Sequence, residues 1–470
     1  MTETPSSETR VSATILMVAL LAACVAFQLN ASMLGPVLVT IAEELHTDEA
    51  AVSLSQTAFF TAAALFSLFL PRLSDIKGRK KVLSWMLAIM TAGTVLAALA
   101  PNITVLYIAR VIQGVSGPVV PLCLLMLRHE ISDAKVYGTL MGVVTAVNGG
   151  IAGIDAIAGG VLAANFGFRS VFWTITVVAA IATLMVMKWA PESKPSANVK
   201  MDWPGVILLV LSLAAMLIAL GQAGNLAAAN WLLVFGLAAF SVVMFIAFWQ
   251  VEKRSEQPLV TTHYLKQRST WALLLTTTLT MTGIFAVVNG LVMSLAQNQN
   301  VGFGMGADTA ALAFLTPYAL IGWLVGPFSG RLAPTLGYNR VLRFGLIGSL
   351  ISLGLMAMMG LGSLPWMIGA VLLIGVSYAG IANIMLNGLG IVLSPKDNPG
   401  FLPGMNAGAF NLGAGLSFAL LPAVQIMTAS SGDSVTSGYA NGILVGLGIT
   451  VLALLTSFLI PRPVSAEVNS

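Results

Sequence analysis

Charge is what this sequence has least of. Of its 470 residues only 9% are Asp, Glu, Lys or Arg, while 57% are hydrophobic. A soluble domain carries about 25% charged residues, so this chain is too poor in charge to cover its own surface in water. Its solvent must be largely lipid. Histidine is nearly missing as well: His46, His129 and His263 each stand alone in a loop, no metal-ligand spacing exists, and neither a metal nor a cofactor is expected. The two cysteines, Cys24 and Cys123, lie far apart in apolar runs and read as small core residues. A net charge of +4 spread over short loops makes no basic patch, so nucleic acid is not an expected partner. An enzyme would need a convergent nucleophile–base or metal set, which spans without histidine do not supply. Neither a carbonyl-filter motif nor a ring of charges suggests a channel.

What the sequence does have is long apolar runs. A transmembrane helix needs about 20 mainly apolar residues, and fourteen such stretches can be marked. They lie near 15–38, 51–70, 82–99, 104–126, 138–162, 170–189, 204–222, 229–249, 272–295, 309–330, 341–360, 365–391, 402–428 and 440–460. The first follows Arg10 and is too long for a signal-peptide core, so it reads as a retained span. No ten-residue alternation competes, which excludes an outer-membrane barrel. Cytoplasmic loops carry the Lys and Arg excess. With the N-terminus inside, every basic residue except Arg110 and Arg169 falls on the cytoplasmic side, while Glu43, Glu44, Asp48 and Glu49 fall opposite. Removing one span would scramble that alternation. The expected location is therefore a bacterial inner membrane, crossed many times, with both termini cytoplasmic.

An internal repeat organises the spans. The segment LSDIKGRKKVL, Leu73 to Leu83, recurs as LAPTLGYNRVL, Leu332 to Leu342. The first copy follows span 2 and the second follows span 10, so a helix pair stands between two six-helix halves. The expected division is 1–190, an N-terminal six-helix bundle; 191–260, an inserted two-helix linker; and 261–470, a C-terminal six-helix bundle. Repeated halves with a site between them are a transporter pattern.

These residues resemble the major facilitator superfamily, and within it the fourteen-span drug:proton antiporter branch. PRLSDIKGRK is similar to the superfamily's loop between spans 2 and 3, with Pro71 where the first Gly is usual. LYIARVIQGVSGP resembles the span-4 motif with an intramembrane Arg. MDWPGVILL, from Met201, and VEKRSEQPLV, from Val251, are similar to the segments that open and close the branch's inserted pair. Two positions depart from the branch. Leu29-Asn30-Ala31-Ser32 lacks the usual first-span Asp, and Asp155 stands in a span-5 motif that usually opens Gly-Pro. The resemblance implies an all-α membrane transporter of the major-facilitator type, with two six-helix bundles and two inserted helices.

Charge inside a bilayer costs about 2.5–3.5 kcal/mol per residue on insertion scales and marks function by default. Arg110 and Asp155 are the charges clearly within spans, and both are candidates for proton coupling. Helix arithmetic puts Arg110, Asp155 and Asn30 at similar depth, so one polar cluster is expected there, and an Arg–Asp pair is one form it could take. Asn30 is also a candidate for substrate binding, and helical spacing adds Gln113, Asn148, Phe285, Asn289, Asn383 and Asn387, with Tyr318, Trp323 and Asn411 behind them. Amides in spans also serve as interhelical glue. Asp75, Gly78 and Arg79 fall in the loop that, in the superfamily, latches the halves together; the resemblance implies a conformational latch here too.

The function expected is secondary active transport of a small organic molecule, a drug or metabolite, by alternating access. Proton-coupled efflux is the main reading. Proton-coupled or facilitated uptake of a small, possibly anionic, solute is the alternative, and a non-transporting membrane sensor is the reading from another class. Expected partners are the substrate, protons and the lipid bilayer, with the chain acting as a monomer.

Overall fold

Lipid offers backbone groups no hydrogen bonds, so a spanning chain must satisfy them internally, and helices do this within one segment. The computed structural model describes residues 13–131, 134–193, 201–224, 229–255, 262–395, 401–430 and 435–463. No strand occurs among them. The first six long helices are α1 (Thr14–Glu44), α2 (Glu49–Lys77), α3 (Arg79–Ala98), α4 (Ile103–Glu130), α5 (Ala134–Phe166) and α6 (Phe168–Trp189). A middle pair follows, α7 (Trp203–Gly224) and α8 (Trp231–Arg254). The last six are α9 (Arg268–Gln297), α10 (Ala307–Ala333), α11 (Tyr338–Gly360), α12 (Leu364–Val392), α13 (Phe401–Ser430) and α14 (Val435–Ser457). Among the described residues thirteen of these are long and apolar enough to cross a membrane; α5, 33 residues long, holds the fifth place. Each apolar run expected from the sequence lies on one of these helices to within a few residues.

Polar side chains start several helices where the run ends. Asp48 accepts the Ala51 N–H at 2.7 Å ahead of α2, and Asn102 accepts the Val105 N–H at 3.1 Å ahead of α4. Between α2 and α3 the chain reverses at Gly78, with φ +100°. The repeat copy reverses at Gly337, with φ +89°. Only glycine adopts this region without strain, which explains why the repeat keeps a glycine at both turns. Because short connections make successive helices antiparallel, one face of the bundle gathers Arg72, Lys77, Arg79, Lys188, Lys253, Arg268 and Arg340, and the other gathers Glu43, Glu44, Asp48 and Asp308. We call these the basic and the acidic face. Arg10, Lys194, Lys200 and Lys396 lie outside the described residues.

Backbone irregularity is uneven along the chain. Single 3-10 turns interrupt α1 at Gly35–Val37 and α4 at Gly114–Ser116. Wider π turns interrupt α9 at Val287–Leu291, α10 at Ala311–Leu315 and α12 at Gly375–Ala382, and another closes α11 at Met356–Gly360. The first six and last six helices meet mainly where α2 lies along α13 and where α5 lies along α10. At the acidic face the contact is close: Gln297 donates to the Pro36 carbonyl at 3.2 Å, and a Cβ on Gly160 would stand 2.6 Å from the Ala307 carbonyl. The pair α7 and α8 packs on itself and against α2 and α13. Only 17% of the apolar window of α8 is buried, against 89% for α9, which puts α8 at the lipid-facing edge.

Candidate functional site

A guanidinium buried in an apolar bundle must find acceptors. Arg110 on α4 is fully buried and donates four hydrogen bonds: Nη1 to Gln113 Oε1 at 2.6 Å and to the Asn30 carbonyl at 3.3 Å, Nη2 to the same carbonyl at 3.2 Å and to Gln56 Oε1 at 2.5 Å. Gln113 in turn donates to the Thr94 hydroxyl at 3.1 Å. The guanidinium also stands 4.1 Å from the centroid of the Phe59 ring, a cation–π contact. Every acceptor is neutral. Arg110 thus ties α1, α2, α3 and α4 together by hydrogen bonds rather than by an ion pair.

Asp155 on α5 is equally buried, at 2% exposure, but it meets a different part of α1: the Ser32 hydroxyl lies 2.5 Å from its Oδ2. Arg110 and Asp155 form no ion pair in this structure. The expected cluster is split by α1, which offers the Asn30 carbonyl on one side and Ser32 on the other. Ser32 Oγ also lies 2.9 Å from the Gln28 carbonyl and 2.9 Å from Gln28 Nε2. A serine hydroxyl has one hydrogen to donate. If Ser32 gives it to the ionised carboxylate, the Gln28 carbonyl loses it. If Ser32 gives it to the Gln28 carbonyl, Asp155 must itself supply the hydrogen of the short contact. The proton on Asp155 and the orientation of Ser32 are therefore linked, and Asp155 Oδ1 is buried with no partner.

Aromatic rings join this region to the second half. Phe59 packs edge-on to Phe60 at 5.0 Å, and Phe60 packs against Phe285 of α9 at 5.3 Å and Phe418 of α13 at 6.3 Å between centroids. Phe285 is half-buried, as is Asn289 one turn later inside the π turn of α9. Asn289 donates to the Phe285 carbonyl at 2.9 Å. Phe60 lies eleven residues from the acidic end of α2, Asp155 eleven from that of α5, and Phe285 twelve from that of α9, so all three sit roughly 16–18 Å deep.

The other sequence candidates scatter. Asn30 and Gln113 are fully buried around Arg110, where Asn30 contributes its carbonyl and its side chain donates back to Ala26 at 3.2 Å. Asn411 is buried on α13, seven residues before Phe418. Tyr318 is half-buried on α10, just past its π turn. Asn383 and Asn387 lie in the basic-face half of α12, where Asn387 donates to the Asn383 carbonyl at 2.9 Å and is exposed. Trp323 is not brought to the site; it is 49% exposed beside exposed Leu320 and Leu324. The side chain of Asn148 falls outside the described residues. Gln56, Thr94, Gln28, Ser32, Phe60 and Phe418 were not singled out as site residues. Uncharged polar residues inside an apolar run, such as Gln56, were the available signal, whereas a phenylalanine in a span gives none.

The loop bearing Asp75, Gly78 and Arg79 works within the first half. Arg79 pairs with Asp75 at 3.1 Å and donates to the Leu125 carbonyl of α4 at 3.1 Å. Glu192, just past α6, accepts the N–H groups of Lys80 and Lys81, each at 3.1 Å, and so caps α3.

The profile of the Major Facilitator Superfamily matches residues 20–418. The "Uridine/deoxyuridine transporter" of Lactococcus lactis subsp. cremoris (strain MG1363) is 52% identical over 469 residues, which is 99% of this chain and 98% of that one. The "Multidrug resistance protein 3" of Bacillus subtilis (strain 168) is 27% identical over 197 residues, 42% of this chain and 38% of that one. Among solved structures, a POT family transporter in complex with 5-aminolevulinic acid matches with a TM-score of 0.68 at 13% identity, over 94% of this chain and 96% of that one. The chain belongs to the Major Facilitator Superfamily: it is a multi-pass membrane transporter of a small organic solute, not an enzyme.

Proposed function

We propose that this Major Facilitator Superfamily member takes up uridine-type nucleosides, driven by protons. The observation that carries the reading is the 52% identity to a uridine/deoxyuridine transporter along essentially the whole of both chains. The multidrug-resistance relative matches at 27% over less than half of either chain. The main sequence expectation, efflux, therefore yields to uptake. A neutral solute also suits the site, because Arg110, the one buried cation among the described residues, already spends its Nη hydrogens on Gln56, Gln113 and Asn30.

In this reading the two six-helix halves, 1–190 and 261–470, rock about the site while 191–260 forms the inserted pair. Asp155 carries the proton. Its proton state decides which way Ser32 donates, and Ser32 lies on α1, which touches α9 at the acidic face through Pro36 and Gln297. A proton on Asp155 thereby alters α1 where the halves meet. Arg110 is a strut that holds α1, α2 and α4 in one body. Asn289, Phe285, Asn411 and Tyr318 line the solute's side on the second half, and Asp75 and Arg79 brace the basic face. The positive-inside rule sets that face in the cytoplasm of a bacterial inner membrane, with both termini there. One chain supplies every group named, so a monomer suffices.

The test is uridine accumulation in proteoliposomes holding the purified chain. An inward proton gradient should concentrate uridine severalfold, and dissipating the gradient should reduce uptake to equilibration. Absence of saturable uridine flux under either condition defeats the nucleoside assignment; saturable flux indifferent to the gradient defeats the coupling alone.

A further inference from the structure

We infer that Phe60 and Phe418, one from each half of the chain, are the two walls of a slot for the pyrimidine ring, and that Phe285, lying across their edge, is the plug that closes its mouth when no solute is bound. This rests on the nucleoside reading above and names how the base is held. The rings of Phe60 and Phe418 are parallel within 6°, with centroids 6.3 Å apart. Stacked bases are spaced about 3.4 Å along a strand, so a flat ring between two walls needs about 7 Å. The two ring planes stand no more than 6.3 Å apart, so the two helices must part slightly for a base to enter. Phe285 meets both edge-on, at 5.3 Å and 89° to Phe60 and at 5.9 Å and 86° to Phe418. Three rings so arranged, two parallel and one perpendicular, make a closed aromatic seam between the halves.

Exposure separates the roles. Phe60 and Phe418 are each 1% exposed, whereas Phe285 is half-buried and is the one with room to move. The backbone beneath them fits those roles. The wall helices are joined to each other, the Thr57 hydroxyl of α2 donating to the Gly415 carbonyl of α13 at 3.0 Å, while the Ala286 N–H, in the peptide group after Phe285, donates to the Ser417 hydroxyl at 2.8 Å and ties α9 to α13. Glycine stands under each wall, since a Cβ on Gly415 would lie 3.3 Å from Phe60 Cβ and one on Gly290 would lie 3.3 Å from Phe418 Cε1. The plug, by contrast, sits two residues before the π turn at Val287–Leu291. A π turn holds one extra residue in the helix and marks functional sites; relaxing it to α geometry would turn the preceding residues about the helix axis and swing Phe285 out of the seam.

The slot selects a planar, uncharged ring. Among the described residues no cation stands over these three rings; the Arg110 guanidinium stands over Phe59, which packs edge-on to Phe60. Asn289 spends its amide N–H on the Phe285 carbonyl and retains its amide oxygen, an acceptor for the imide N–H of a uracil ring. Base–aromatic stacking depends on the π face and not on sugar hydroxyls, so uridine and deoxyuridine would be held alike.

The test uses the full-length chain in nanodiscs and isothermal titration with two ligands, uridine and 5,6-dihydrouridine. The second keeps the ribose and the imide edge but loses the flat π ring. The slot predicts that dihydrouridine binds about tenfold or more weakly than uridine, and that Phe60→Leu and Phe418→Leu weaken uridine about tenfold while binding dihydrouridine as the parent does. Equal binding of the two ligands to the parent protein overturns the slot even if no variant folds. Parent protein that binds neither ligand overturns the nucleoside reading and the slot with it. Phe285→Ala should admit the larger bicyclic bases of purine nucleosides; exclusion of inosine by a folded Phe285→Ala variant would remove Phe285 from the role of plug.

Discussion

The turns at Gly78 and Gly337 have nearly the same backbone, yet the two halves they belong to solve the bilayer problem differently. In the first half the turn is clasped by a carboxylate: a Cβ on Gly78 would meet Glu192 Oε1 at 2.5 Å, and nothing lies within 4 Å of one on Gly337. The first half holds both buried mid-span charges, Arg110 and Asp155, and its described helices are broken only by 3-10 turns. The second half has no buried charge among its described mid-span residues. It has four π turns instead, with hydroxyl–amide bonds such as Thr277 to Asn406 at 2.6 Å between its helices. In the proposed uptake cycle the difference becomes a division of labour: one half would carry the proton on a polar frame, and the other would carry shape on backbone that can change its hydrogen-bond register.

That division can be broken experimentally, and the largest effect should fall on Asp155. Asp155→Asn is expected to abolish gradient-driven uridine accumulation while sparing uridine–uridine exchange, measured in the same proteoliposomes. Accumulation at parental levels would move the proton site elsewhere, with the second half the place to look. Next is Arg110→Met, which strands the Gln56 and Gln113 oxygens and the Asn30 carbonyl. Hydrogen bonds to charged groups contribute about 1.5–3 kcal/mol each, so a loss of about 3 kcal/mol in unfolding free energy is expected after the neighbours relax. Thermal unfolding with the parent as control measures it, and an unchanged midpoint would mean that the frame does not depend on Arg110.

The two glycine turns give a matched and smaller contrast. Placing alanine at positive φ with extended ψ costs about 1–3 kcal/mol, so Gly337→Ala, at φ +89° and ψ +128°, should lose about that much. Gly78→Ala should lose more, because the added carbon also displaces Glu192. Equal losses would show that the carboxylate clasp is loose. The mildest change is Glu192→Gln, which leaves an acceptor oxygen for only one of the Lys80 and Lys81 N–H groups and removes a charge at the start of α3. Such contacts contribute about 0.3–1 kcal/mol and are screened by salt, so the deficit should shrink as ionic strength rises.

Several of these features could be read before the structure, and for a physical reason. Apolar run length, basic-loop alternation and the Leu73–Leu83 repeat marked the helices, because lipid imposes its demands on each run of about 20 residues separately. Arg110 and Asp155 stood out because buried charge is rare. Their partners did not, since Ser32 and Asp155 are 123 positions apart, and nothing in either span says which neighbour it will face. Phe60 and Phe418 were invisible for a different reason: a phenylalanine in a span has the same local signature whether it faces lipid, core or solute. Trp323 shows the converse, a conspicuous aromatic that the fold turns outward.

The sequence by itself determined the solvent of this protein, the place of each helix and the charge of each face, because these follow from composition over single runs of about 20 residues and the loops beside them. Only the tertiary structure decided that Arg110 and Asp155 would be divided by α1, and that three phenylalanines from three helices would close one seam. Hydrogen bonds and ring contacts act over a few ångströms, and only packing brings residues from distant spans that near.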